Sequence, residues 1–186
     1  MQMPHNFTLF ETPLGSAGTA WSERGVAGVQ LPEPDLAKAR ARLKRRFPGG
    51  VEASPPPEVR SAIREIMALL DGQPNDLSGV QLDMARVPAF DQQVYAVART
   101  IPVGETVSYG QIARRLGDPG LARDVGQALA RNPFPIVVPC HRVIAAGGRL
   151  GGFSARGGLA TKQRLLSIER ANVSWQLPLT LVAPGR

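Results

Sequence analysis

Cysteine and histidine are scarce in this chain. One Cys and two His are all that 186 residues hold of these side chains. A single Cys forms no internal disulfide, and one Cys with two His does not complete a zinc site of the usual four-ligand kind. Long apolar runs are missing too, since none approaches the ~20 residues a membrane helix requires. The opening stretch Met1-Gln2-Met3-Pro4-His5-Asn6 lacks the basic region and apolar core of a secretory signal. Together these absences point to an intracellular, globular chain whose one thiol stays free.

Acidic residues are also scarce, but only in the second half. Residues 1–88 carry ten Lys/Arg against ten Asp/Glu, whereas residues 89–186 carry twelve against five and so account for the whole net charge of +7. A basic half suggests a polyanionic partner, most simply nucleic acid. A merely solubilising surface explains the charge alone about equally well.

What is present centres on Ile136-Val137-Val138-Pro139-Cys140-His141-Arg142-Val143-Ile144, which holds the single cysteine directly before one of the two histidines. The apolar, β-branched run 136–138, bounded by prolines, predicts a short buried strand that Pro139 closes. Cys140 is then delivered at a rigid strand exit. A lone Cys is more often a small buried hydrophobe than a nucleophile. A reactive thiol needs its pKa lowered by neighbouring positive charge or a histidine, and His141 and Arg142 are adjacent. Successive side chains on extended backbone face opposite ways, so contact between Cys140 and His141 requires a bend or a bridging water.

Along the chain, residues 7–31 predict short antiparallel strands (7–10, 19–21 and 26–29) joined by glycine turns. Leu36, Ala39, Leu43 and Phe47 mark the core face of a helix over 34–47, with a basic opposite face that is most simply solvated. Residues 49–57 predict a loop whose three prolines prevent pairing. A second helix spans 58–70, and a short strand falls near 80–82. The charge change places a domain boundary at Val87-Pro88. Beyond it come a helix over 90–100 and a capping box of Ser108 and Gln111 that starts a helix to Leu116. Asp118-Pro119 then opens a helix from 119 to about 130. Two short helices joined by a tight turn form a helix-turn-helix, a motif that often docks DNA. Its second helix has a bare face at Ala122 and Gly126, beside Arg123. Close helix packing explains that face as well as entry into a groove does. A hairpin-like turn at Gly147-Gly148 and a last helix over 159–170 follow, with Leu165, Leu166 and Ile168 inward. Glu169 sits at its C-terminal end, where the helix dipole disfavours a carboxylate. The tail from Asn172 predicts irregular packing.

Taken together, Ser108-Tyr109-Gly110-Gln111-Ile112-Ala113, Ala122-Arg123-Asp124-Val125-Gly126, Asn132-Pro133-Phe134-Pro135, Pro139-Cys140-His141-Arg142, Gly151-Gly152-Phe153-Ser154 and Lys162 with Leu165 to Glu169 resemble the O6-alkylguanine-DNA alkyltransferases. The resemblance is dense over about 80–171 and looser at Thr12-Pro13-Leu14-Gly15. It implies an α/β (α+β) fold: a small N-terminal domain (1–87) with an antiparallel sheet and helices, a mainly helical, winged-helix-like C-terminal domain (88–171), and a tail (172–186). The implied activity is single-turnover DNA repair, in which an alkyl group passes irreversibly from O6-alkylguanine, or O4-alkylthymine, to a cysteine after base flipping. No cofactor and no metal are implied. The partner is double-stranded DNA approached from the minor groove, with no membrane, by a monomer that acts singly or cooperatively.

The resemblance assigns Cys140 as acceptor, His141 as a base acting through water, Glu169 as its orienting acid, and Asn132 as a brace of the turn near the thiol. Arg123 becomes the finger that replaces the flipped base, and Tyr109 assists rotation and faces the purine. Ala122, Gly126 and Gln111 meet DNA, while Val138, Phe153, Ser154 and Pro135 line the base pocket. Asp124 stands where the family commonly has a small residue, and Tyr95 where it often has Trp. A silent lesion binder of this type replaces the cysteine, a cysteine hydrolase would need a histidine other than the remote His5, and a plain regulator gives the Pro-Cys-His string no purpose.

Overall fold

A computed structural model describes residues 5–155 and 157–171; the expectation for the tail from Asn172 lies outside these residues. The N-terminal half opens as a meander, β1 (Asn6–Thr12), β2 (Gly15–Ser22) and β3 (Gly25–Glu33), paired antiparallel. Helix α1 (Leu36–Arg46) follows, its first turn capped by Asp35, whose Oδ1 accepts from the amides of Ala37 (2.8 Å) and Lys38 (3.3 Å). Lys44, Arg45 and Arg46 occupy its last turn, where cations suit the helix dipole. Ala39 and Leu43 face inward as the spacing predicts, but Leu36 is 41% exposed, because it lies in the first turn beyond the sheet's edge. A Cβ on Gly18 would fall 2.4 Å from Leu43 Cδ1, so a glycine there lets α1 lie directly on β2.

The proline-rich stretch is not wholly unpaired. β4 (Val51–Glu52) adds to the outer edge of β1 in parallel, ahead of the prolines, which makes the sheet mixed, in the order β3-β2-β1-β4. α2 (Pro57–Leu70) begins with proline at its first position. The strand expected near 80–82 reduces to a single bridge between Val26 and Leu82.

The second half runs α3 (Ala89–Arg99), β5 (Val107–Ser108), α4 (Tyr109–Arg115), α5 (Ala122–Ala130), β6 (Val143–Ile144) and α6 (Gly158–Ile168). The capping box is present in both directions: Gln111 N–H donates to Ser108 Oγ, and Ser108 N–H donates to Gln111 Oε1. Asp118 accepts from Gly120 N–H as a cap should, but residues 119–121 form a 3-10 turn and the α-helix proper starts at Ala122. Gly147-Gly148 makes the expected turn, closed by Ala145 N–H onto Arg149 O (2.8 Å) with both glycines at positive φ, but no antiparallel strands flank it. β6 pairs in parallel with β5 instead, and residues 146–148 form another 3-10 turn.

One hydrophobic cluster joins Trp21, Val26, Val29 and Leu31 of the first half to Val94, Ile112, Phe134 and Val138 of the second. At the seam Val29 N–H donates to Pro133 O (2.9 Å), and Arg46 donates to the carbonyls of Val29 and Pro133. The sheet and α1 therefore grip the segment that leads to Cys140. On the far side, Tyr95 buries its ring against Phe134 and donates its hydroxyl to Ala128 O at 2.9 Å. Tyr95→Phe leaves that carbonyl without this partner, and an expected loss of about 1–2 kcal/mol is measurable by urea unfolding.

Candidate active site

Residues 136–138 are not a strand. Pro135 and Pro139 deny the run two ladder donors, and Ile136 takes a left-handed backbone (φ +77°), so the chain turns on itself. β-Branched residues avoid that region, and the turn holds because Ile136 is 2% exposed and its neighbours are cross-braced. Asn132 is the brace. Its Oδ1 accepts from Phe134 N–H (2.8 Å), its Nδ2 donates to Val138 O (2.9 Å), and Val138 N–H closes onto Phe134 O (2.8 Å). Burial of the apolar run was legible in the sequence, but its geometry was not, since short apolar runs carry no periodicity.

Cys140 then opens a 3-10 turn, Cys140–Arg142. This supplies the bend that a Cys-His pair requires. His141 is fully buried, and its Nε2 lies 2.8 Å from Glu169 Oε1. Arg142 forks onto the same carboxylate, Nε to Oε2 and Nη2 to Oε1, both at 2.9 Å, and reaches Ile101 O with Nη1 at 2.6 Å. Burial alone would raise the Glu169 pKa, but the hydrogen bonds from His141 and Arg142 hold it down at about 2. Burial pushes the His141 pKa below its ordinary value despite the Glu169 carboxylate. At neutral pH the pair is therefore Glu169 carboxylate and neutral imidazole, which places the His proton on Nε2. Nδ1 is then a free acceptor, and it is buried without a hydrogen-bond partner. An unpaired basic nitrogen inside a protein is costly unless chemistry uses it.

The thiol itself is half-buried, and burial pushes its pKa up. The Asn132 amide, the Lys162 charge and the backbone N–H groups of Cys140 and His141 act the other way. Arg142, adjacent in sequence and expected to lower the thiol, is committed to Glu169 instead. Lys162 is the cation that acts on the sulfur. Its ammonium is buried under the Tyr109 ring (6.0 Å to the centroid), donates to Val143 O and Gly152 O, and has its pKa depressed to about 8 by burial. A resting thiol beside a neutral base suits a nucleophile that is deprotonated only as it attacks.

A cleft opens at Cys140 in two lobes that share Leu129, Ala130, Cys140, Phe153 and Ser154. The larger, about 470 Å³, is bounded by Tyr109, Gly126 and Gly152. Tyr109 donates weakly to Gly152 O (3.4 Å), and a Cβ on Gly151 would stand 3.1 Å from the Tyr109 ring, so glycine there lets the 151–154 loop close over tyrosine. Ser154 Oγ donates to Ala130 O (2.8 Å), which pins that loop to the end of α5. Pro135 lines only the smaller lobe. Val138 is buried behind the site, and its carbonyl already accepts from Asn132 and from Cys140 N–H, so its two lone pairs are engaged. On α5, Arg123 is exposed, while Ala122 and Gly126 are half-buried and Gly126 approaches the Tyr109 ring. Gln111 is spent on the capping box rather than left free. Among the described residues no cluster of three or more His, Cys, Asp or Glu is placed to hold a metal ion.

The structure thus brings Cys140, His141, Glu169, Asn132, Tyr109, Phe153 and Ser154 to one place and leaves Arg123 exposed on α5, three residues before the Gly126 that lines the larger lobe. Sequence reasoning had no role for Arg142's fork, for Lys162, or for the two α1 arginines, Arg42 and Arg46, that reach the cleft. Arg142 could have been suspected from its place beside His141. Nothing in the spacing of α1 shows which of its arginines face the second half.

Comparison with known proteins is consistent with this chemistry. Residues 89–171 match the family model described as 6-O-methylguanine DNA methyltransferase, DNA binding domain. The chain is 44% identical over 124 residues to a methylated-DNA–protein-cysteine methyltransferase of Mycolicibacterium paratuberculosis, covering 67% of this chain and 73% of that protein. It is 38% identical over 166 residues to the bifunctional transcriptional activator/DNA repair enzyme Ada of Escherichia coli, covering 89% of this chain but spanning only 46% of that protein. A crystal structure of Mycobacterium tuberculosis OGT in complex with DNA superimposes with a TM-score of 0.69 at 34% identity, over 89% of this chain and 94% of the other.

Proposed function

Since the chain belongs to the O6-methylguanine-DNA methyltransferase family, a DNA-repair group acting by direct damage reversal, we propose that Cys140 is the residue that takes the alkyl group from O6-alkylguanine in duplex DNA. The observation that carries this reading is the orphaned Nδ1 of His141, the residue that follows the chain's one cysteine, with the opposite ring nitrogen fixed by an ionised Glu169.

In the proposed mechanism a water bridges His141 Nδ1 and the Cys140 thiol, and the imidazole takes the thiol proton as sulfur attacks. The S–C bond forms as the C–O6 bond breaks, and the electron pair returns to the purine. Guanine is restored as the proton reaches its ring. To free the site, water would have to expel the Cys140 thiolate from an unactivated thioether carbon, which is too slow, so each molecule turns over once. Lys162 above Tyr109 keeps positive charge beside the developing thiolate.

DNA is the partner, approached through α4 and α5 as a helix-turn-helix whose bare face at Ala122 and Gly126 lets the backbone lie in the minor groove. Arg123 fills the gap left by the flipped base, and the larger lobe, between Tyr109 and Gly126, receives it. Asp124, beside the phosphates, weakens the grip. The described helices include none long and apolar enough to cross a membrane, and the protein acts wherever the DNA is, in cytoplasm or nucleoid.

Arg123 separates binding from chemistry. Holding a base out of the stack costs a few kcal/mol, so Arg123→Ala slows transfer from a duplex by at least about tenfold. Its reaction with the free base O6-benzylguanine stays at the wild-type rate. Single-turnover assays on the two substrates check this, and an equal loss on both would place Arg123 in the chemistry instead.

A further inference from the structure

The smaller lobe of the cleft is walled from the N-terminal half. It encloses about 200 Å³, lined by Gln30, Arg42 and Arg46 from the first half and by Pro135, Cys140, Phe153 and Ala155 from the second. Among the described residues two guanidinium groups line it and no carboxylate does. Arg42 is held from beneath: its Nε lies 2.8 Å from Oε1 of Glu33, whose side chain is fully buried while that of Arg42 is 37% exposed. A buried carboxylate thus fixes an arginine in the lining of a pocket that also includes the nucleophile. A guanidinium carries five N–H donors, more than the edge of one carboxylate takes up.

Geometry decides which part of a substrate reaches this lobe. Displacement at carbon aligns sulfur, carbon and the leaving O6. With the purine in the larger lobe and Cys140 on the shared wall, whatever the reacting carbon carries beyond hydrogen splays sideways, into the smaller lobe. For a methyl adduct that space stays empty. Resting on the reading of Cys140 as acceptor, we propose that the smaller lobe is the subsite for the O6 substituent, and that Arg42 makes it favour substituents ending in an anion, of which carboxymethyl is the smallest.

The chemistry balances without a further reactant. Cys140 sulfur attacks the methylene carbon, the S–CH2 bond forms, and the CH2–O6 bond breaks with its electron pair passing to O6. The thiol proton ends on the guanine ring, and the protein keeps an S-carboxymethyl group whose carboxylate faces Arg42. A charge-assisted, bidentate hydrogen bond is the kind of contact that arginine makes best.

The test uses the full chain and three duplexes that differ only at one guanine: O6-methyl, O6-carboxymethyl, and the neutral O6-carbamoylmethyl isostere. Single-turnover rates are compared for wild type, Arg42→Met and Arg42→Lys. The expected result is a fall in the carboxymethyl to carbamoylmethyl rate ratio of about tenfold in Arg42→Met. Arg42→Lys restores most of it, and the methyl rate certifies an intact site. An equal loss on all three duplexes would assign Arg42 to phosphate binding or to folding, and an unchanged ratio would leave it no part in selection; either overturns the proposal. Failure of the wild type on the methyl duplex would sink the reading of Cys140 itself, which the other outcomes leave intact.

Discussion

Cys140→Ser protein gains no mass on incubation with a duplex carrying one O6-methylguanine, and the methyl stays on the DNA. The wild type gains one methyl, on the peptide that contains Cys140, in equal amount to the guanine restored. Loss in the variant is complete rather than partial because the site is built to activate a thiol and nothing harder. The thiol pKa is already pushed up by burial, and the groups that offset this are weak ones: one amide, one ammonium and two backbone N–H donors. A serine hydroxyl starts several units higher, and it lacks the high intrinsic nucleophilicity that lets a sulfur displace a purine from a saturated carbon. The surroundings survive the change, since Asn132 braces Val138 and Phe134 whatever stands at 140. Affinity for the lesion duplex, measured by fluorescence anisotropy, therefore stays at the wild-type level. Intact-protein mass spectrometry reads the chemistry, and methyl transfer by the serine variant to any other residue would refute the assignment.

That the nucleophile could be picked out from one sequence, and its delivery could not, has a physical reason. Pro139-Cys140-His141-Arg142 is a local string, and the chemistry of those side chains is fixed by their identity. The positions of α1, α2 and α3 were legible because their apolar residues recur at helical spacing, with boundaries shifted only by caps and prolines. The turn at 136–138 was not legible, because Ile136 adopts a positive φ that its own side chain opposes and that only Asn132 and the surrounding core enforce. The same holds for the coupling across the seam. Arg46 on the carbonyls of Val29 and Pro133 joins residues 87 apart, and no pattern within α1 announces it. Glu169 was half legible. Its place at a helix C-terminus marked it as odd, but His141 and Arg142, 28 and 27 residues upstream, are what make a buried carboxylate tolerable there.

Glu169 carries the second large effect, on stability and on rate at once. Glu169→Gln removes the charge that Arg142 forks onto, while the Arg142 side chain stays 7% exposed and tied to Ile101 O. Breaking a buried pair from one side costs about 3–5 kcal/mol, because the remaining charge loses its partner. The pH dependence identifies the cause. A carboxyl held at about 2 in the folded chain, against an ordinary value of 4.5, contributes stability that is fully present above pH 4.5 and is lost as pH falls toward 2. The shift corresponds to on the order of 3 kcal/mol. Urea unfolding at pH 7, 4.5 and 3 is expected to show a larger acid loss in the wild type than in the variant, which keeps only the part that comes from charging buried His141 and from the other carboxylates. On the rate, glutamine no longer fixes the proton of His141 on Nε2, and the imidazole, already weakened by burial, loses the charge that raised its basicity. Methyl transfer at pH 7 falls by about 10²–10³. The deficit narrows at alkaline pH, as hydroxide begins to ionise the thiol without help from the imidazole, and a fold defect alone would not produce that recovery. A uniform loss across the pH range would instead confine Glu169 to holding Arg142 in place.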